Sequence, residues 1–392
     1  MSLGSPAAGV HYPGNLAAVR AWFPDDQACL DYLDWLRWPD GFRCTHCGAK
    51  NGWRLPAGGW SCGGCRKRVR VLAGTIFQDT RTPLTVWFEA AWLMAVTKNG
   101  VSAASLKPLL GLGSYETAWA MCHKLRTAMG RTSLDLLSGD VEVDETFIGG
   151  VKTGGKRGRG APGKAYVVIA VESKEHSFGR CRLEVVPKID AEHLGKFLHE
   201  HIVPGSVVIS DALRSYPPAI ADTFGHKPFN IKRSGLRAHE VLPGVHRVAS
   251  LLKRWLAGTH QSGVSAEHLP AYLDEFTFRF NRRHSRARGL LFLRLLEGTV
   301  TAPPTTMREL IKVPNPHPVR NPRLHDPSGR KALQQSHLTA HGAITDRLNY
   351  CRDPDSPLSQ TRAEASRCSG RRARSLAARS GVVSQFTRAG AP

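Results

Sequence analysis

The chain has no long apolar run. Its most hydrophobic stretch, Trp87 to Val96, is interrupted by Glu89 and is too short to span a bilayer, which excludes a transmembrane helix there. The opening Met1-Ser-Leu-Gly-Ser-Pro6 lacks the basic start and apolar core of a secretory signal, so a soluble, cytoplasmic protein is expected. Acids are scarce as well, with 32 Asp and Glu against 54 Lys and Arg, a net charge of +22. A balance of that sign favours a polyanionic partner, of which DNA or RNA is the commonest. An even set of disulfide-forming cysteines is also missing. There are 9 in all, and four fall into two CxxC pairs, which is metal spacing in a reducing compartment. Beyond about residue 300 aromatics are few, and Pro303, Pro304, Pro314, Pro316, Pro318 and Pro322 exclude long helices, so 299–392 is expected to be a disordered tail.

What is present suggests two or three units, since 392 residues exceed one average domain and a 41% hydrophobic share can fill a core. In the lead-in, 1–40, residues Asp25 to Leu36 carry a helical apolar stripe, with Cys29 reading as a buried apolar residue. Cys44-Thr-His-Cys47 and Cys62-Gly-Gly-Cys65 then supply four thiolates from two tight knuckles, enough to close a tetrahedral structural Zn²⁺ site without His46. A zinc ribbon over 41–80 follows, with Arg66, Lys67, Arg68 and Arg70 on a basic face. Residues 81–135 read as helical. Asn99-Gly100 stops the first helix, and a second helix opens at Ser114 after a glycine-rich turn, a pattern shared by a helix-turn-helix entering a major groove and an ordinary αα-hairpin.

From 139 the text turns strand-rich. Val141-Glu-Val-Asp144 ends an apolar alternation on a carboxylate, before glycines and a basic loop with Lys152, Lys156, Arg157, Arg159 and Lys164. Ala165 to Glu172 and Arg180 to Pro187 continue as strands, a helix runs from Asp190 to Ile202, and Val207 to Ser210 leads into Asp211. Strand, strand, strand, helix, strand is the order of a ribonuclease-H-like domain, here over 139–298. After a short strand from His226 to Ile231, the helix from Gly244 to Leu256 has His246 and Lys253 along one side, about two turns apart. Metal-capable side chains at the ends of separate elements in so basic a protein point to phosphoryl transfer on nucleic acid.

Together these stretches resemble bacterial insertion-sequence transposases of the DDE superfamily, in the group with an N-terminal zinc ribbon. The resemblance rests on the four cysteines, on Ala73-Gly-Thr-Ile-Phe77 with Thr80-Arg-Thr-Pro83, and on Val143-Asp-Glu-Thr-Phe-Ile-Gly-Gly150. It rests further on Ser210-Asp-Ala-Leu-Arg-Ser-Tyr216, Leu252-Lys-Arg-Trp-Leu-Ala-Gly-Thr-His260 and Tyr272-Leu-Asp-Glu-Phe-Thr-Phe-Arg-Phe-Asn-Arg-Arg283. It implies an α+β multidomain protein whose core holds two divalent ions, usually Mg²⁺, one activating water or a DNA 3′-hydroxyl and the other steadying the leaving oxygen. Asp144 and Asp211 match the first two catalytic positions. The third usually carries Glu seven residues before a lysine; here His246 stands before Lys253, which shifts the metal preference toward Mn²⁺. Glu145 is expected to be structural or a supporting partner, Glu240 and Glu275 are fallback ligands, and Lys253 would position DNA or balance phosphate charge. The implied partners are double-stranded DNA, as terminal inverted repeats and target, and a second copy of the chain in a dimer or higher oligomer. The alternative is a decayed transposase or a zinc-ribbon DNA-binding regulator without nuclease activity, which would not need Asp144, Asp211 and His246 together.

Overall fold

Helices begin where the sequence supplies an acceptor. The Asn15 and Asp25 side chains take the amides of Ala18 and Ala28 and open α1 (Leu16–Trp22) and α2 (Asp26–Arg37). The computed structural model describes residues 6–56, 58–131, 135–149, 164–230, 233, 235–261 and 263–311. The basic loop with Lys152, Lys156, Arg157 and Arg159 lies outside the described residues. Three short antiparallel strands, β1 (Gly52–Arg54), β2 (Trp60–Cys62) and β3 (Arg68–Val69), form the ribbon sheet in that order.

Next come α3 (Leu84–Val96), α4 (Ala103–Leu109), capped by Ser102, and α5 (Tyr115–Arg131). Helix α3 is buried on most sides, as its nearly all-apolar text requires, and α5 inserts Ala118, Met121, Cys122, Leu125, Ala128 and Met129 into the same core. Among the described side chains of α5, the exposed ones are in its first turn, at Tyr115 and Glu116. No helix among the described residues is long and apolar enough to cross a membrane.

The second sheet is built from β4 (Asp140–Ile148), β5 (Ala165–Lys174), β6 (Ser177–Val186), β7 (Val207–Asp211) and β8 (Gly225–Phe229). Its order is β6-β5-β4-β7-β8, with β4 antiparallel to β5, β5 antiparallel to β6, and β7 parallel to both β4 and β8. The parallel β4–β7 pair is reached through α6 (Ala191–His201), which Asp190 caps, and α7 (Tyr216–Ile220) lies between β7 and β8.

One face of this sheet packs Val141, Val143, Val168, Ala170 and Val208 against Leu194, Phe197 and Tyr216 of α6 and α7. After the single-turn α8 (Ala238–Val241), the long α9 (Pro243–His260) and α10 (Leu269–Asn281) cover the other face. There Val245, Val248, Leu252, Leu273 and Phe276 meet Val167, Ile169 and Val171.

Two features differ from expectation. Helix α11 (Arg288–Thr301) returns to the N-terminal helices, where Phe292 packs on Phe23, Phe88 and Trp92, so one core joins residues far apart in the chain. Residues 299–311 are folded rather than tail: Thr299 is fully buried at the end of α11, and Pro303-Pro304 is followed by α12 (Met307–Ile311). Thr306 and Glu309 cap α12 reciprocally, the side chain of each accepting the amide of the other, and Leu310 is buried. The rest of the expected tail, 312–392, lies outside the described residues.

Candidate functional site

The four cysteines converge as their spacing requires. The Sγ atoms of Cys44, Cys47, Cys62 and Cys65 all lie within 4.8 Å of one another, with Cys47 to Cys62 at 3.5 Å and Cys44 to Cys65 at 3.7 Å. Tetrahedral Zn–S bonds of ~2.3 Å put sulfurs ~3.8 Å apart, so the donor set fits a structural zinc with no coordination position left over. The amides of His46 and Gly64 point at Cys44 and Cys62 Sγ, at 3.4 and 3.3 Å. Helix α2 is tied to the ribbon through Asp34, whose carboxylate accepts from Arg54 and from the Trp60 indole at 2.8 and 2.6 Å.

Trp60 also stacks on Phe42, with ring centroids 4.8 Å apart, inside the small ribbon core. Removing zinc with a strong chelator should therefore unfold the ribbon, because metal binding of ~10 kcal/mol is folding energy for so small a unit. Loss of bound zinc by atomic absorption should coincide with a red shift of tryptophan emission. A metal-free protein with unchanged emission would refute it.

In the large sheet, alternation decides which acids meet. Val141 and Val143 face α6 and α7, so Glu142 and Asp144 point to the α9 face. The parallel register pairs Val141 with Val208 and Val143 with Ser210, and one step further come Asp144 and Asp211 on neighbouring strands, on that same face. Asp144 Oδ1 accepts the Glu145 amide at 2.8 Å, and Asp211 Oδ1 accepts the Leu213 amide at 3.2 Å.

Helix α9 lies over this face of β4. His246 Nε2 comes within 3.7 Å of Asp144 Oδ2; it is buried and makes no hydrogen bond among the described residues. Burial first, then the charge of His239, holds the ring below the usual histidine range, so the imidazole is neutral. Lys253 is also pushed down, by burial and then by Lys164, while Asp144 pulls it up, so the lysine and Asp144 sense each other's charge. The site thus gathers Asp144, Asp211, His246 and Lys253 where β7 ends beside the middle of β4. The ligand atoms of Asp144, Asp211 and His246 do not all come within 4.8 Å of one another, as the four cysteines do.

The neighbouring acids have other employment. Glu145 lies on the α7 side, where its Oε2 accepts from the Tyr216 hydroxyl at 3.4 Å. That phenol is buried and held well above its usual range, by burial and then by the charges of Glu145, Asp144 and Asp211. Glu240 is exposed and takes the Arg237 amide at 2.6 Å within its own short turn, and Glu275 is fully buried in an ion pair with Arg126, so neither fallback ligand reaches the site.

Two residues escaped sequence reasoning, Tyr216 and Glu142. Tyr216 follows Asp211 in the stretch that carries the family resemblance, a signal available but unused. Glu142 shares a strand face with Asp144, which the period of two would have revealed, but a buried carboxylate between two valines reads as ordinary strand text.

A four-thiolate ribbon thus stands in front of an α/β domain that sets Asp144 and Asp211 on one face of neighbouring strands. Residues 24–68 match the transposase zinc-ribbon domain and residues 136–281 the ISXO2-like transposase domain. A transposase-like protein of Haemophilus influenzae is 27% identical over 116 residues, 30% of this chain and 93% of the relative. A protein in transposable element ISH50 of Halobacterium salinarum is 24% identical over 281 residues, 66% of this chain and 91% of the relative. In both regions the chain is similar to insertion-sequence transposases of the DDE type with an N-terminal zinc ribbon. The matched ribbon begins in the region of α2 rather than at residue 41, in keeping with the Asp34 tie.

Proposed function

We propose that this transposase binds the terminal inverted repeats of its element as a dimer or higher oligomer. It would cut and join DNA at a ribonuclease-H-like site where Asp144, Asp211 and His246 hold divalent ions. The observation that carries the reading is the shared face: Asp144 in the middle of β4, just past its last pair with β7, and Asp211 at the end of β7, with a neutral, unbonded imidazole nitrogen 3.7 Å from Asp144. Two carboxylates and one nitrogen are a donor set for Mn²⁺ or Mg²⁺, the nitrogen favouring Mn²⁺.

Bound there, such ions would activate the attacking oxygen and steady the leaving one. The chain's own residues do the rest. Strands β4 and β7 fix the carboxylates, α9 brings the imidazole over them, and Lys253, seven residues on and on the same side of α9, offers a cation to a DNA phosphate. The basic face of the ribbon, with Arg66, Lys67, Arg68 and Arg70 exposed, is the surface offered to the repeats.

The test is metal-dependent nicking and joining of labelled inverted-repeat DNA by the purified chain. His246→Ala should abolish both, and His246→Glu should retain or improve activity in Mg²⁺, since a carboxylate suits that ion better than imidazole does. Full activity in His246→Ala would move the third ligand elsewhere. A DNA-binding protein without chemistry is the second reading, favoured by the distance at which Asp144, Asp211 and His246 stand from a closed cluster. Repeat binding without cleavage in either metal would select it.

A further inference from the structure

Helix α9 starts in an unusual way. Its N-cap position, Leu242, offers no side-chain acceptor, and the first turn contains no acid. The acceptor comes instead from the large sheet. Glu142, 2% exposed, takes the amides of Gly244 and Val245 with a single oxygen, Oε2, at 2.7 and 3.0 Å, across 102 and 103 residues of sequence. A carboxylate on the free amides of a helix start is a strong, charge-assisted contact that also meets the positive end of the helix dipole.

The fit is tight enough to dictate sequence on the other side. A Cβ on Gly244 would fall 2.9 Å from Glu142 Oε2 and 2.8 Å from the Phe178 ring, so the position takes glycine.

We propose that Glu142 is a positioning residue for the DNA-cleaving site: its clamp on Gly244 and Val245 sets where α9 sits over β4 and thereby aims His246 at Asp144. The argument is one of two short rulers. From Glu142 the strand runs two residues, about 6.6 Å, to Asp144 on the same face. From Gly244 the helix runs two residues to His246. The clamp closes one end of this frame, and Asp144 and His246 meet at the other, 3.7 Å apart. A helix that only needed a cap would take Ser, Thr or Asp at Leu242, as Asp190 does for α6. Drawing the cap from the strand that carries Asp144 locks two distant segments into one geometry. Residues that orient ligands without touching the ion commonly change metal affinity by 10–100-fold.

The inference rests on the proposed metal site, so the experiment reads both. Full-length wild type, Asp144→Ala, Glu142→Ala, Glu142→Gln and Gly244→Ala are titrated with Mn²⁺ by calorimetry. Amide exchange over residues 243–247 is followed by mass spectrometry in the absence of metal.

Asp144→Ala should lose the Mn²⁺ isotherm attributed to this site. Glu142→Ala should exchange faster at the start of α9 and bind Mn²⁺ about tenfold more weakly. Glu142→Gln keeps an oxygen for the two amides and should recover most of that affinity. Gly244→Ala, which keeps the carboxylate but displaces the helix start, should weaken binding like Glu142→Ala, and it decides the matter if Glu142→Ala does not fold.

Wild-type affinity in Glu142→Ala or Gly244→Ala, with Asp144→Ala still deficient, overturns the positioning role alone, as does a Gln variant no better than Ala. Wild-type affinity in Asp144→Ala overturns the metal site and the clamp's purpose with it.

Discussion

Asp144→Asn should give a folded protein that no longer cuts or joins DNA, with strand cleavage reduced at least about 10³-fold, equivalent to about 4 kcal/mol of transition-state stabilisation. The carboxylate sits in the middle of β4 with Oδ1 on the Glu145 amide and Oδ2 toward His246, and its side chain is 19% exposed. Asparagine keeps the shape and can still accept the Glu145 amide, but it lacks the charge that would draw a divalent ion. The loss should therefore appear in the metal-dependent rate, with far-UV circular dichroism unchanged.

Stability should move the other way. Asp144, Glu145 and Asp211 bring like charges around the Tyr216 hydroxyl, so removing one of them should leave the melting temperature in metal-free buffer equal or slightly higher. An Asn variant that nicks repeat DNA within threefold of wild type would remove Asp144 from the chemistry.

Glu275→Ala should be the most damaging single change to stability outside the ribbon, by about 3–5 kcal/mol. Arg126 on α5 and Glu275 on α10 are 1% and 0% exposed, and Nε donates to Oε2 at 2.8 Å across 149 residues of sequence. The guanidinium also lies 4.0 Å from the centre of the Tyr272 ring. Removing the carboxylate strands a buried cation, and the neighbours cannot substitute. Burial, then Arg126 itself, pushes the flanking His123 and His260 down to about 2 and about 3, so both rings stay neutral.

The chain around the pair is shaped to it. Gly100 has φ +74, and a Cβ there would lie 3.0 Å from Trp255 Nε1 and 3.1 Å from Glu275 Oε1. Arg279, one turn beyond Glu275, donates to the carbonyls of Met94, Thr97 and Lys98 at the end of α3. The melting temperature should fall by on the order of 10 °C. The double change Arg126→Met with Glu275→Leu should recover most of it, because a buried pair can be replaced by apolar side chains at little net cost. A Glu275→Ala protein melting within about 2 °C of wild type would mean that the pair contributes little to stability.

The same pair shows where reading the text falls short. Glu275 looked like a spare ligand because it is an acid on a helix near the other site residues. Its partner lies 149 residues earlier, in a region that reads as a separate helical unit. Helix α11 makes the same point: it completes the core of the first helices, and no local pattern announces a partner so distant. The helical region after the ribbon was open between a groove-reading helix and a packed hairpin. Burial along α5 leaves only Tyr115 and Glu116 exposed among its described side chains, a property of its neighbours rather than of its own sequence.

By itself the sequence determined what a few adjacent residues can specify. Two CxxC knuckles fix a metal-binding geometry within each turn, apolar alternation marks the strands that carry Asp144 and Asp211, though β4 runs on to Ile148, and a seven-residue interval puts His246 and Lys253 on one side of a helix. Only the tertiary structure decided that the β4–β7 register sets the two aspartates side by side, that Glu142 holds the helix of His246, and that Glu275 belongs to Arg126. The reason is desolvation. Whether a carboxylate meets solvent, an amide, a guanidinium or a metal depends on what closes over it, and here that is chain more than 100 residues away.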